Sequence, residues 1–100
     1  MVRHSVFFWL DKSLSDEQKA TFEDGLRALF EIDCVSNGSF GKAADTPERP
    51  VTQNTFDYAL VLEFDSVEQH NEYQVHADHG VFVDSFKQWF DEVRVYDTQF

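Results

Sequence analysis

Two stretches of this chain alternate like strands and yet are apolar on both sides, which restricts the folds open to it. Residues 3–10 divide into one set with His4, Val6, Phe8 and Leu10 and another with Ser5, Phe7 and Trp9. Residues 56–64 divide into Tyr58, Leu60, Leu62 and Phe64 against Ala59 and Val61. Because successive side chains of a strand point to opposite faces, a sheet built from these strands needs a cover on each face.

Helical patterns follow each of these stretches. Ser15-Asp16-Glu17-Gln18 is a capping box that predicts a helix start at about Ser15, and Ser66-Val67-Glu68-Gln69 repeats it. The first helix carries an apolar stripe at helical spacing, formed by Phe22, Leu26, Leu29 and Phe30. The second helix is short and ends near Tyr73, and a further helical run carries Phe82, Phe86, Trp89 and Phe90.

The remaining segments complete the order of elements. Ile32 to Phe40 is predicted as a strand, in which Asn37-Gly38 could be a turn or a bulge, and Val93 to Tyr96 as the last strand. Residues 42–55 contain both prolines and predict a long loop, a candidate flap. The order β-α-β-β-α-β predicts one α+β domain over residues 1–100, with a ferredoxin-like four-stranded antiparallel sheet and both helices on one face.

The face without helices requires another cover. Its predicted members are Phe7, Trp9, Ala59, Val61 and Tyr96. Hydrophobic residues make up 42% of this short chain and include 11 Phe, which is more apolar surface than a small core hides. A second copy of the same sheet is the simplest cover, so we predict a homodimeric α/β barrel.

Charge and targeting signals restrict the partners and the compartment. With 19 acidic and 8 basic residues, the net charge of -11 disfavours nucleic acid and anionic membranes as partners. Such acidity is also compatible with a salt-rich habitat. The single Cys34 cannot form an internal disulfide, and the first residues lack the apolar core of a signal peptide, so a cytoplasmic location is expected.

The segment 73–82 is the best candidate for chemistry because it holds two of the four histidines beside a tyrosine. His79 could accept a proton from carbon next to a carbonyl, and the Tyr73 hydroxyl could polarise that carbonyl. With His4, these groups would project into a ligand pocket whose predicted walls are Val6, Phe8, Phe22, Leu26, Leu60, Phe82 and Phe86. A purely structural role, in which Tyr73 packs and His79 caps a helix, stays open.

Metal and nucleophile chemistry receive less support. His76 and His79 are three residues apart and Asp78 could add an oxygen, but two histidines alone make neither a closed nor a catalytic metal site. No metal or cofactor is therefore predicted. Cys34 is expected to be a small core residue, because no histidine accompanies it in sequence.

Several segments, taken together and in order, resemble the stress-responsive A/B barrel (Dabb) family. They are His4-Ser5-Val6-Phe7-Phe8, Tyr58 to Phe64, the spacing Tyr73-x-x-His76-x-x-His79, and Val93 to Asp97. The resemblance implies a dimeric ferredoxin-like barrel, found in plant stress proteins that form larger oligomers and in bacterial proteins of unknown role. The family that the chain resembles also includes a plant polyketide cyclase that works without metal or cofactor.

That plant cyclase is similar to this chain at the candidate site, since it has Tyr and His where Tyr73 and His79 stand and a His where His4 stands. The family often has Pro after the first His of the segment, whereas this chain has Ala77, which implies a more helical connection. We therefore expect a protein that binds a small apolar molecule. A cofactor-independent polyketide-type cyclase or lyase, with Tyr73 and His79 as the acid/base pair, is the alternative.

Overall fold

The alternating segments form one antiparallel sheet in the computed structural model, which describes residues 1–100. In chain order the elements are β1 (Val2–Leu10), α1 (Asp16–Leu29), β2 (Asn37–Gly41), β3 (Tyr58–Phe64), α2 (Val67–Val75), α3 (Ala77–Phe86), a 3-10 turn (Lys87–Trp89) and β4 (Phe90–Gln99). The strands lie in the order β2-β3-β1-β4. This is the predicted ferredoxin-like α+β fold, with the second helical segment divided into two.

The strands that are apolar on both faces, β1 and β3, lie at the centre of the sheet. β1 pairs with β3 on one side and with β4 on the other, so that His4 lies opposite both Leu62 and Asp97. Every second residue of β1, from Val2 to Leu10, is buried under the helices. His4 is the single buried polar residue of the molecule, with 4% of its surface exposed.

The predicted capping box begins α1. The backbone amide of Gln18 donates to Ser15 Oγ at 3.1 Å, and the backbone amide of Ser15 donates to Oε1 of the Gln18 side chain at 2.8 Å. At the start of α2 the motif is half formed, because the Gln69 amide donates to Ser66 Oγ while the Gln69 side chain accepts from the Asp65 amide instead. Both helices nevertheless start where the sequence indicated.

Close packing between α1 and α3 depends on a glycine. A Cβ atom at Gly25 would overlap the ring of Phe86, so any larger residue forces that ring to move. The glycine in α3, Gly80, has no atom within 4 Å of the position that a Cβ would take. Only the first of these two helical glycines is therefore required by packing.

The predicted strand from Ile32 to Phe40 begins later than expected. Ile32 and Cys34 are buried, but they lie in the turns that follow α1, and the strand starts at Asn37. These apolar residues pack a turn against the core, so their burial does not indicate that they pair in a strand. Gly38 lies inside β2, where the ring of Phe30 leaves no room for a side chain, so it forms neither a turn nor a bulge.

Between α2 and α3 the helical conformation is interrupted at a single residue. His76 has extended backbone, with φ -66° and ψ 141°, and its Nδ1 accepts a hydrogen bond from the Asp78 amide at 3.0 Å. His76 thus caps the N-terminus of α3, as Ser or Asn does in other helices. The Ala77 that replaces the family's Pro does not make the two helices continuous.

The sheet face opposite the helices, here called the open face, has no helix on it. Phe56 lies before β3 rather than inside it, and its ring packs edge-on against Phe7 at a centroid distance of 5.0 Å. The indole Nε1 of Trp9 donates to Thr55 Oγ1 at 2.9 Å. The end of the loop before β3 therefore covers part of the open face, and Tyr96 stays 56% exposed.

None of the three α-helices combines the length and the apolar character that a membrane crossing requires.

Candidate functional site

A cavity of about 290 Å³ lies between the sheet and the helices α2 and α3, and we call it the helix-side cavity. Its walls are mainly apolar, formed by Val6, Phe8, Leu29, Leu60, Phe82, Val83, Phe90, Val93 and Val95. Its polar lining consists of His4, His70, Tyr73, Gln74, His79 and Asp97. An apolar cavity with a few converging polar groups is the usual form of a small-molecule site.

The structure brings most of the predicted site residues to this cavity. Those that line it are His4, Val6, Phe8, Leu60, Tyr73, His79 and Phe82. Phe22 and Leu26 do not, because both are completely buried in the core beneath α1. Phe86 lines a separate groove beside Gly25. These residues belong to two helical stripes, Phe22 and Leu26 on α1 and Phe86 on α3. Both stripes pack the core here, so their spacing did not identify a cavity wall.

Tyr73 and His79 face each other across the connection between α2 and α3. Their ring centroids are 4.7 Å apart, and Tyr73 is only 1% exposed. No protein group hydrogen bonds to the Tyr73 hydroxyl, and burial raises its pKa, so the hydroxyl stays protonated. Burial, aided by the nearby His4 ring, lowers the pKa of His79 and favours the neutral imidazole.

His4 enters the same cavity from the central strand β1. Its Nδ1 lies 2.5 Å from Asp97 Oδ1, and its ring centroid lies 5.8 Å from that of Tyr73. A carboxylate can only accept, so Nδ1–H donates and Nε2 is left as the free ring nitrogen. Burial lowers the pKa of His4, and the bond to Asp97 opposes that change.

Three polar residues of the cavity were not predicted, namely His70, Gln74 and Asp97. His70 on α2 has its ring centroid 5.0 Å from that of His4, and its Nε2 lies 3.8 Å from Asp97 Oδ1. The sequence did hold a signal for Asp97, because it continues the alternation of Val93 and Val95 and must share their face. His70 carried no such signal.

The histidine pair considered for a metal is divided between two roles. His76 caps α3 and does not line the cavity, while His79 does. Their three-residue spacing therefore does not create a shared ligand set.

A second cavity, of about 380 Å³, lies on the open face. Its lining includes Phe7, Trp9 and Tyr96 from the predicted interface, together with Gln53, Thr55, Phe56, Glu92 and Arg94. The other two predicted interface residues, Ala59 and Val61, are half-buried on this face and pair with Phe7 and Ser5 of β1. The five residues thus share one surface.

Comparison with known proteins places the chain among relatives of the same fold. A model of the stress responsive A/B barrel domain family matches residues 2–100. An Arabidopsis thaliana protein of known structure is 24% identical, with a TM-score of 0.84, and the match covers 99% of this chain and 94% of the other.

Two further structures are similar at 20% identity. A dimeric ferredoxin-like protein of unknown function from Thermobifida fusca has a TM-score of 0.80, covering 99% of this chain and 90% of the other. The hydroxynitrile lyase from Passiflora edulis has a TM-score of 0.81, covering 97% of this chain and 90% of the other. No curated protein matches the sequence. At these identities the solved structures show a shared fold.

Proposed function

We propose that this chain, which belongs to the stress responsive A/B barrel domain family, binds one small, largely apolar molecule in its helix-side cavity. The volume of about 290 Å³ suits a molecule with one aromatic ring and a short substituent. No Lys or Arg lines the cavity, so a neutral ligand fits it better than an anion. Val93 and Val95, which are 39% and 49% exposed, lie on its lining where the helices end.

The observation that carries this proposal is that the Tyr73 hydroxyl has no protein hydrogen-bond partner while its residue lines the cavity. A donor without a protein partner is available to a ligand oxygen, and a hydrogen bond between them would stabilise the complex. Its raised pKa keeps it a donor at neutral pH, which favours a carbonyl or ether oxygen as the acceptor. The expected ligand is therefore a flat apolar compound with one acceptor oxygen.

Benzaldehyde is a suitable probe because it has one ring and one carbonyl. In a titration in EDTA-containing buffer followed by NMR, we expect the ring resonances of Tyr73 and His79 to shift together. Tyr73→Phe should weaken binding about 2- to 10-fold, since one net hydrogen bond contributes about 0.5–1.5 kcal/mol. The measurement is the Kd from the chemical-shift titration.

The matched control is Tyr96→Phe, which removes a hydroxyl from an exposed tyrosine on the open face. It should leave the Kd of benzaldehyde unchanged. If Tyr73 and His79 do not shift, or if both variants weaken binding equally, the helix-side cavity is not the binding site.

Proton-transfer catalysis is a second candidate function, favoured by the protonation states of the facing pair. A neutral His79 is a base, and a protonated Tyr73 beside it, with ring centroids 4.7 Å apart, can stabilise negative charge on oxygen. The pair could remove a proton from carbon next to a carbonyl, as a polyketide-type cyclase requires. It could equally serve a lyase, and the Passiflora edulis protein of the same fold is a hydroxynitrile lyase.

The lyase reaction can be written with these groups alone. His79 accepts the hydroxyl proton of an aromatic cyanohydrin while Tyr73 donates a hydrogen bond to the same oxygen. The bond between the carbinol carbon and the nitrile carbon breaks, and its electron pair leaves with cyanide. His79 then returns the proton to cyanide, so that an aldehyde and hydrogen cyanide are released.

Mandelonitrile cleavage, followed by the absorbance of benzaldehyde, tests this candidate. His79→Asn should reduce kcat at least about 100-fold, since a positioned acid or base contributes about 10²–10⁴. His76→Asn is the control, because Asn also caps helices and His76 lies outside the cavity lining. Equal rates in the wild type and His79→Asn would exclude this role for His79.

The open face supports a further proposal, that two copies pack sheet against sheet as a homodimer. Phe7, Trp9 and Tyr96 form an apolar surface that the loop before β3 covers only in part. The similar Thermobifida fusca protein is described as dimeric. The cytoplasmic location and the single domain over residues 1–100 stay predictions.

A further inference from the structure

A cluster of three metal-binding side chains lies at one end of the helix-side cavity. His4 comes from β1, His70 from α2 and Asp97 from β4, so three separate elements hold them. One ligand atom of each lies within 4.8 Å of the others. The strands fix two of the three, because His4 and Asp97 are directly paired in the β1–β4 register.

One ring nitrogen of His70 in this cluster has no hydrogen-bond partner. Its Nε2 is buried and has no hydrogen-bond partner. Its Nδ1 lies 3.1 Å from Asn71 Oδ1, which can only accept, so Nδ1 carries the proton and Nε2 presents a lone pair. Metal-binding histidines typically have this arrangement, in which a hydrogen bond at one ring nitrogen fixes the tautomer and directs the other at the ion.

The separations within the cluster fit a first-row divalent ion. Ligand atoms on a tetrahedral Zn²⁺ lie about 3.4 Å apart, because each metal–ligand bond is about 2.0–2.1 Å. Asp97 Oδ1 is 2.5 Å from His4 Nδ1 and 3.8 Å from His70 Nε2. The shorter distance is the Nδ1–H···Oδ1 hydrogen bond of the metal-free protein, so a bound ion would displace the Nδ1 proton to solvent and widen that distance to about 3.4 Å. The Asp97 side chain is 43% exposed, so it is free to move by the small distance that an ion requires.

We propose that His4, His70 and Asp97 form a binding site for one divalent transition-metal ion of the Zn²⁺ class. Two imidazoles and one carboxylate select such ions over Ca²⁺ or Mg²⁺, which prefer oxygen ligands. Three protein ligands leave a fourth position, and the cavity lies beside it. The ion would bind an oxygen of the cavity's ligand there, which goes beyond the proposed apolar binding.

Co²⁺ alone is the first probe, because its visible absorption changes when water ligands are replaced by protein ligands. Full-length protein freed of metal with EDTA should bind one Co²⁺ per chain, and Zn²⁺ should displace it. His70→Gln and Asp97→Asn should each weaken Zn²⁺ binding, measured by calorimetry, at least about 10-fold, since even loss of an outer partner costs about 10–100-fold. His4 is left intact because it is part of the core.

His76→Asn is the matched control, since His76 and Asp78 are a histidine–carboxylate pair outside the cavity lining, with Nδ1 to Oδ2 at 3.9 Å. It should not change the affinity. Circular dichroism of the metal-free variants establishes that they fold. Less than one ion per chain, or equal loss in His76→Asn and His70→Gln, would overturn the proposal. The benzaldehyde titration is done in EDTA, so the two proposals fail separately.

Discussion

The two faces of the sheet are both apolar, but they use their apolar residues differently. On the helix face, β1 and β3 contribute side chains that are almost completely buried, such as Phe8 at 3% exposure and Leu62 at 0%. On the open face, the neighbouring residues Phe7 and Trp9 stay partly exposed, with only Phe56 and the end of its loop against them. Adjacent positions of one strand thus belong to different environments.

The location of polar groups sharpens this difference. The helix face encloses His4, Tyr73 and His79, whose pKa values are all shifted by burial. The open face has polar residues at its rim, such as Arg94 and Glu92, which stay exposed. Buried groups with shifted pKa values are typical of chemistry or ligand binding, whereas an apolar centre with a polar rim is typical of an interface. We therefore infer a ligand site on one face and a subunit contact on the other.

Removing one phenylalanine from each face tests the comparison most strongly. Phe8→Ala should lower the free energy of unfolding by about 3–5 kcal/mol at any protein concentration, because it opens a cavity in the core. Phe7→Ala should cost less in a dilute sample, and its effect should increase with protein concentration. Denaturant unfolding at two concentrations measures both. Equal, concentration-independent losses would show that the two faces are equivalent.

A charge placed on the open face should separate the subunits of the proposed homodimer. Trp9→Glu would bury an unpaired carboxylate between two sheets, so the Kd of the dimer should rise at least about 30-fold, which corresponds to about 2 kcal/mol. Sedimentation equilibrium provides the measurement. Val81→Glu, at a 63% exposed position on α3, is the control and should leave the association unchanged. An intact Trp9→Glu dimer would place the interface elsewhere.

The packing of the helix face can be tested with its two helical glycines. Gly25→Ala should destabilise the fold by about 1–3 kcal/mol, because the new methyl group overlaps the Phe86 ring. Gly80→Ala has free space and should be neutral or stabilising by up to about 1 kcal/mol. Thermal unfolding compares the two. A stabilising Gly25→Ala would contradict the close approach of α1 and α3.

Alkaline pH should lower the free energy of unfolding through a buried tyrosine of the helix face, and this is the smallest of the predicted effects. Burial raises the pKa of Tyr58, and its hydroxyl donates to Glu23 Oε2 at 2.6 Å. The folded state therefore keeps a proton that the unfolded chain loses near pH ~10, so stability falls as pH rises above that value. Tyr58→Phe should reduce this dependence, measured by unfolding at several pH values. Tyr96→Phe, which removes an exposed hydroxyl from the open face, is the control.

Much of the fold could be predicted because it depends on local patterns. The alternation in β1 and β3 and the caps at Ser15 and Ser66 each report a backbone conformation within a few residues. The error at Ile32 and Cys34 has the same origin, since burial in a turn and burial in a strand look alike in a short apolar segment.

The candidate site was predicted only in part. Tyr73 and His79 are six residues apart and lie on neighbouring helices, so the sequence could pair them. His70 and Asp97 approach each other, at 3.8 Å, only because α2 packs against β1 and β3 while the β1–β4 register places Asp97 beside His4. Phe22 and Leu26 were assigned to the pocket wall on periodicity, which identifies a buried face but not the atoms that it buries.

The sequence alone determined that this chain forms a layered sheet with two faces to cover, because strand alternation and helix caps follow from each residue and its near neighbours. Tertiary structure decided which buried residues surround a cavity, which polar groups meet there, and how much of the open face the chain's own loop covers. Those outcomes depend on the sheet register and on helix placement, which are set by contacts between residues far apart in the chain.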